Sequence, residues 1–300
     1  MTRKERRRTI RPSSDPNVRE GELRFGRTEV YWTATFGLIF SILLIRNYSL
    51  GEPYIPSFNL GPLTFAPFGP LVVLGIFFGM HLVEKWDRAF GLDWEVHARG
   101  LTWIVLLGFI ISHFVSIIAY FPEEITNWRA MLDIRANFSS FGGIFGGLVV
   151  SIIFLRRNHL PLLPYLEATL FGFIGGWIFG RLGCFSVHDH PGTPTNFFLG
   201  INFRGAIRHD LGLYEMLIIL VMFGILFVAS RRKRFDGFLI GVACLIYSPA
   251  RFLFDYLRIE DIRYLGLTPG QWLSITTFMI GLSILVYGWR AATIFKSSPA

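Results

Sequence analysis

Long apolar runs recur along the whole chain, and they constrain the fold more than any other feature. They are roughly Val30–Ile45, Pro62–Val83, Leu101–Tyr120, Ser139–Leu155, Leu162–Phe185, Leu211–Ser230, Gly237–Leu253 and Pro269–Gly288. A bilayer core about 30 Å thick is crossed by about 20 apolar residues in a helix. Inside lipid a backbone must satisfy its own hydrogen bonds, which a helix does within one segment. The runs predict an all-α polytopic membrane protein with eight crossings. Composition agrees: 52% of residues are hydrophobic and 17% charged, against roughly 25% charged in soluble domains. The mean hydropathy is +0.47.

Eight crossings put both termini on one side, and the basic residues choose that side. With the N-terminus inside, 20 of the 29 Lys and Arg lie in cytoplasmic segments, so both termini are expected to be cytoplasmic. The net charge of +8 is then a topology signal, and nucleic acid is not an expected partner. Residues 1–27 carry Arg3, Lys4, Arg6, Arg7, Arg8 and Arg11 and read as a basic cytoplasmic tail that touches anionic lipid. The first span is followed by RNYSLGEPY, with no small-residue cleavage site, and reads as an uncleaved helix. Pro122–Phe138 is too polar to span and is expected along the interface. The segments 121–138, 184–210 and 255–268 fall on the outer side.

In this topology Arg181 and Arg251 end outward-running helices, while His209, Tyr214, Glu215 and the block Ser139–Gly147 open inward-running ones. Polar groups from at least four helices converge on one leaflet. The segment Gly180–Gly192 (GRLGCFSVHDHPG) holds an arginine, a thiol, two histidines and an aspartate. Charge at the end of a span is costly and marks function by default; its other reading is snorkelling to head groups. Two arginines in a lipid-facing cavity suit a phosphate, because a guanidinium donates two parallel bonds and stays charged. Arg251 also stands one turn from Asp255, the spacing of an ion pair, and Tyr247 shares that face.

His188, Asp189 and His190 are adjacent, and if extended the histidines point the same way. They suit a base, an acid or metal ligands. HDH alone is too few ligands for zinc, with His209 a further candidate, so no metal and no cofactor is assigned. The cysteines, Cys184 and Cys244, lie sixty residues apart and indicate neither a disulfide framework nor a structural zinc site. Gly172, Gly176 and Gly180 recur every four residues, and Gly142, Gly143, Gly146 and Gly147 form two interleaved pairs. Such faces let helices approach; glycines opening a helix can equally bare N–H groups to an anion. His113 within a span reads as an interhelical hydrogen bonder, and Glu167 as a packing or capping residue.

Four segments resemble the prolipoprotein diacylglyceryl transferase family: Ser139–Leu148 (SSFGGIFGGL), Gly180–Gly192, His209–Glu215 (HDLGLYE) and Tyr247–Arg258 (YSPARFLFDYLR). Leu60–Gly69 (LGPLTFAPFG) and Gly270-Gln271-Trp272 fit the first core helix and the last. The resemblance covers 60–300 and implies a seven-helix core. Residues 28–59, an extra transmembrane helix and outer loop, look like an addition to it. It implies a bacterial inner-membrane enzyme, active on the periplasmic or outer side, that moves diacylglycerol from phosphatidylglycerol to the thiol of a prolipoprotein lipobox cysteine. The expected partners are phosphatidylglycerol, prolipoprotein signal peptides and membrane lipid. By resemblance Arg181 and Arg251 are the two essential arginines and Tyr247 the tyrosine one turn earlier; Gly192 closes the motif and Asp189 replaces a glutamate. The catalytic set is therefore Arg181, Arg251, Tyr247, His188, Asp189 and His190. The substrate-binding set is Gly142, Gly143, Gly183, Gly192, His209, Tyr214 and Glu215.

Four positions depart from the family. Phe141 stands where the family has the histidine proposed to activate the thiol, Cys184 where it has asparagine, Phe68 where it has tyrosine, and Gly212 where it has glutamine. One reading is that His188 or His190 replaces the lost base. The alternative is a paralogue without this chemistry that binds or transports phospholipid at the outer leaflet.

Overall fold

The computed structural model describes residues 23–49, 58–60, 63–132, 138–231, 234–259 and 262–297. The basic cluster Arg3–Arg11 lies outside them, as does the part of the amphipathic stretch from 133 to 137. The long helices are α1 (Arg27–Leu44), α2 (Phe68–Phe90), α3 (Trp94–Tyr120), α5 (Ser140–Arg157), α6 (Leu162–Val187), α7 (Leu211–Ser230), α8 (Phe238–Phe254) and α9 (Pro269–Ser297). A 3₁₀ turn (Pro122–Thr126) and the short α4 (Trp128–Leu132) stand in the amphipathic stretch. Among the described residues, seven helices are long and apolar enough to cross a membrane. The remaining expected run forms α5, whose 18 residues rise about 27 Å. It lies antiparallel along α3: Gly142 faces Ser112, Gly146 faces Ile111, Gly147 faces Ile104, and Phe154 faces Gly100.

Two boundaries differ from the hydropathy reading. α2 begins at Phe68 rather than Pro62, because Leu63–Phe65 (β2) pairs with Phe58–Leu60 (β1) in an antiparallel ribbon. It continues past the apolar run to Phe90, since Trp86 and Asp87 are buried inward while Arg88 pairs with Glu84 on the exposed side. α3 begins two turns early because Asp93 caps it, accepting from the Val96 N–H.

α6 is the central helix. Phe171, Ile174, Phe179, Leu182 and Phe185 are buried all round it, as expected of a helix without a solvent face. Its glycines press on α2. A Cβ on Gly176 would stand 2.4 Å from the Gly75 carbonyl oxygen, and one on Gly172 would stand 2.5 Å from that of Gly79. Only glycine permits this approach, which turns backbone-to-backbone packing into the spine of the bundle. At the C-terminus of α6, His188 takes a left-handed conformation (φ 49°) and reverses the chain. The connection to α7 is a three-stranded antiparallel sheet, β3 (Pro191–Pro194), β5 (Ala206–Asp210) and β4 (Ile201–Phe203) in that spatial order. The expected loop 184–210 is thus a helix end and a sheet. Asp210 closes it by capping α7 through the Leu213 N–H.

Candidate functional site

At one end of the bundle α6 and α8 finish while α5, α7 and α9 begin. Arg181, one and a half turns before the end of α6, is 4% exposed. A buried guanidinium needs a counter-charge, and the first turn of α7 supplies it: Arg181 Nη2 lies 2.7 Å from Glu215 Oε2. Glu215 Oε1 lies 3.5 Å from Nη1 of Arg251, which comes from α8. One carboxylate therefore holds two guanidiniums, one on each oxygen. The Tyr247 hydroxyl, one turn before Arg251, donates to Glu215 Oε2 at 3.2 Å. Its ring packs on Trp177 at 4.9 Å between centroids, and Trp177 carries the Arg181 guanidinium 5.5 Å from its centroid.

Each arginine is oriented by a further set. Arg251 pairs with Asp255, the expected i,i+4 partner, and Asp255 also accepts from the Thr268 hydroxyl at the start of α9. Thr268 and Gln271 bond reciprocally, each backbone N–H to the other's side chain at 3.1 Å, forming a capping box. Arg181 donates to Ser140 Oγ at 3.3 Å and contacts Cys184 Sγ at 3.7 Å. Its Nε is buried and has no partner among the described residues.

Arg181, Arg251, Tyr247 and Glu215 therefore meet directly. Asp189 and His190 join from the other side of Cys184: a carboxylate oxygen, a ring nitrogen and the sulfur all lie within 4.8 Å of one another. Asp189 and His190 are themselves paired at 2.5 Å. His188 goes elsewhere, because the left-handed turn breaks the extended geometry in which both histidines would face one way. It is buried, with Nδ1 2.5 Å from Asp210 and Nε2 3.3 Å from Asn47. His209 Nδ1 bonds the Tyr214 hydroxyl at 2.9 Å beside Phe197, and burial lowers its pKa.

Of the expected glycines, Gly142, Gly183 and Gly192 stand in close packing contact, while Gly143 has ordinary contact with Ser112. Gly142 lies on Ser112, where a Cβ would stand 2.9 Å from backbone. Its N–H is capped by Ser139 Oγ, and the Gly143 N–H bonds the Ser139 carbonyl. Gly183 lies against Phe68. Gly192 is wedged between His209 and the Leu257 carbonyl, in a bridge to Arg258. Phe141 lies in the first turn of α5, but its side chain is outside the described residues. His113 bonds the Met131 carbonyl at 3.3 Å, and Glu167 caps α8 by accepting from the Leu239 N–H at 2.8 Å. Ser140, Trp177, Thr268 and Asn47 are the site neighbours that sequence reasoning missed. Ser140 had a signal in the SSFGG block; Asn47, in the added helix, had none.

A family model described as prolipoprotein diacylglyceryl transferase matches residues 56–287. Among curated proteins the chain is similar to the phosphatidylglycerol–prolipoprotein diacylglyceryl transferase of Campylobacter curvus, 36% identical over 149 residues, 48% of this chain and 55% of that one. It is similar to that of Wolbachia pipientis, 30% identical over 242 residues, 76% and 92% of the two chains. The Erythrobacter litoralis protein is 26% identical over 263 residues, 81% and 92% of the two chains. The match to the Campylobacter relatives spans 55–57% of their length.

Proposed function

The chain belongs to the prolipoprotein diacylglyceryl transferase family, and from that membership and the arginine cluster we propose that it transfers diacylglycerol from phosphatidylglycerol to a prolipoprotein cysteine thiol. The sulfur attacks the glycerol carbon that bears the phosphodiester. A carbon–sulfur bond forms, the carbon–oxygen bond breaks, its electron pair leaves with glycerol phosphate, and the thiol's proton is released to water. The protein's part is to hold the phosphodiester and to stabilise the charge that grows on it as it departs.

One observation carries this reading: two buried guanidiniums held at a fixed separation by a single carboxylate, with Arg181 keeping Nε unbonded. Glu215 and Asp255 together balance the two guanidinium charges, and Glu215 orients both forks before substrate arrives. Preorganised donors need no rearrangement in the transition state. Tyr247 shares the Glu215 oxygen with Arg181 and is placed to turn its hydroxyl to a head-group oxygen. Asp189–His190, partly open to solvent beside Cys184, marks where the acceptor thiol meets the lipid.

On this reading the Arg181 end faces the periplasm or outside of a bacterial plasma membrane, and the excess of basic residues in the segments at the other side supports that orientation. The acceptor is a signal peptide carrying the lipobox cysteine. The test uses nanodiscs containing phosphatidylglycerol and a lipobox peptide, with lipidation followed by mass. A diacylglyceryl adduct that depends on Arg181 supports the proposal. No adduct at any enzyme concentration overturns it.

A further inference from the structure

The family's thiol-activating position is Phe141, so whatever activates the acceptor thiol here has to come from elsewhere. We propose that Cys184, Asp189 and His190 form a zinc site whose fourth position takes the acceptor thiol as thiolate.

Among the described residues this is the sole group of three whose ligand atoms, one each of sulfur, carboxylate oxygen and imidazole nitrogen, come within 4.8 Å of one another. Zinc takes these three donor types at about 2.0–2.3 Å in a tetrahedron, and a catalytic zinc uses three protein ligands with one open position. Those bond lengths set ligand-to-ligand distances of roughly 3.3–3.8 Å, so an ion would part the Asp189–His190 pair, now at 2.5 Å, and draw both towards the Cys184 sulfur. Two of the three ligands have open space beside them: the Asp189 and His190 side chains are 37% and 24% exposed, while Cys184 is buried.

The chain path is built to bring these residues together. Cys184 lies one turn before the end of α6, and the left-handed His188 folds Asp189 and His190 back over it. A non-glycine residue in that conformation costs of order 1 kcal/mol or more, and buried bonds to Asp210 and Asn47 hold it there. Two family departures also meet at this point. A Cβ on Gly212 would stand 3.0 Å from Cys184 Cβ and from the Phe185 nitrogen, so residue 212 is small where residue 184 is sulfur. The Arg181 guanidinium, 3.7 Å from the sulfur, is the outer hydrogen-bonding partner of this ligand.

The chemistry complements the proposed function and rests on it for the identity of the acceptor. A zinc-bound thiol is deprotonated at neutral pH. Its proton passes to water on binding, and no histidine at position 141 is required. The bound sulfur then attacks the glycerol carbon while Arg181 and Arg251 receive the departing phosphate. The metal itself is neither oxidised nor reduced, so the step balances without a co-reactant.

The test uses full-length protein in detergent, purified without a polyhistidine tag. After dialysis it is expected to hold one zinc per chain by elemental analysis. Replacement by cobalt is expected to give a thiolate-to-cobalt charge-transfer band. Cys184→Ser removes the band and the stoichiometric zinc, and Asp189→Asn and His190→Gln, both at partly open positions, lose zinc and unfold at the midpoint of the wild-type protein stripped of metal. Substoichiometric zinc, or a cobalt spectrum that Cys184→Ser leaves unaltered, overturns the site. Lipidation assayed on the same samples separates this inference from the transferase reading. Full activity in chelator-stripped protein overturns the metal's role and leaves the transferase standing. A thiolate-bound zinc with no lipidation keeps the metal site and overturns the transferase.

Discussion

Both ends of the bundle bury charge, and they do it differently. At the far end from Arg181, Asp87 of α2 pairs with His97 Nδ1 at 2.7 Å, and His97 Nε2 bonds Thr169 at 2.9 Å. The Tyr165 hydroxyl accepts from the Asp93 N–H at 2.8 Å, and Glu167 caps α8. The Asp87–His97 pair ties α2 to α3, and the other three bonds tie the α2–α3 region or the start of α8 to α6. The groups are a carboxylate with a histidine, hydroxyls and backbone N–H, the economical partners for polar atoms that have to be buried at helix ends. At the Arg181 end the same helix faces two guanidiniums, a shared carboxylate, a thiol and a partly open Asp–His pair. A fold has no need of two buried arginines on one carboxylate, since apolar residues of similar volume commonly serve stability as well or better. One end closes the bundle, and the other is kept polar for something else.

The largest effect tests the closing end. His97→Ala leaves the buried Asp87 carboxyl without its hydrogen-bonding partner, a change that costs about 3 kcal/mol. A detergent unfolding titration is expected to show this loss, while lipidation per folded molecule stays at the wild-type rate. A fall in activity with stability intact would make the two ends one site and dissolve the comparison. The next effect tests the working end. Arg181→Lys keeps the charge but loses the planar fork, and peptide lipidation is expected to fall about 10²–10³-fold, the scale for one lost transition-state donor. The unfolding midpoint should hardly move, because lysine still reaches Glu215. Equal losses in both readouts would reassign Arg181 to structure.

The sequence displayed the working end better than the closing one. Arg181, Glu215, Tyr247 and Arg251 were legible because charge at the end of an apolar run is rare enough to be noticed. Topology then carried three of the helices to one leaflet. Asp87 and His97 were hidden because they stand just outside the apolar runs, in what hydropathy reads as a polar connection; the helices run through it, as α2 continues to Phe90 and α3 starts at Trp94. The HDH segment was misjudged for a different reason. Which way its side chains point depends on one left-handed residue, and no local pattern announces a histidine at that conformation. The Cys184–Asp189–His190 grouping follows from that turn, so it could not be read before the turn was known. Asn47, which bonds His188, lies outside the residues 56–287 that the family model matches.

A third effect links the two ends through α6. Gly176→Ala drives a methyl group to 2.4 Å from the Gly75 carbonyl oxygen, and α2 has to move off α6. Overpacking of this kind costs about 1–3 kcal/mol. If the ends are independent structures on a common spine, the loss of stability is expected without any change in zinc content. If the spine also sets the spacing of the site, lipidation falls alongside stability while Arg181 and its partners remain intact.

The smallest effect separates pH from catalysis. Burial lowers the pKa of His209, so the native state binds a proton less readily than the unfolded chain. Between the lowered value and about 6.5, the usual value for histidine, the unfolded state holds more protons and stability rises with pH. This contribution is complete above about 6.5 and is lost as pH falls through the folded value. His209→Gln keeps a hydrogen-bonding group next to Tyr214 and removes the titration, so the pH dependence of the unfolding midpoint below about 6.5 should flatten. His209 belongs to the working end by position, yet its described partners are Tyr214 and Phe197 rather than the arginines. Lipidation at fixed neutral pH is therefore expected to be unchanged in His209→Gln. A loss there would draw the boundary of the site outward to β5, and would show that the sheet between α6 and α7 handles substrate as well as closing the turn.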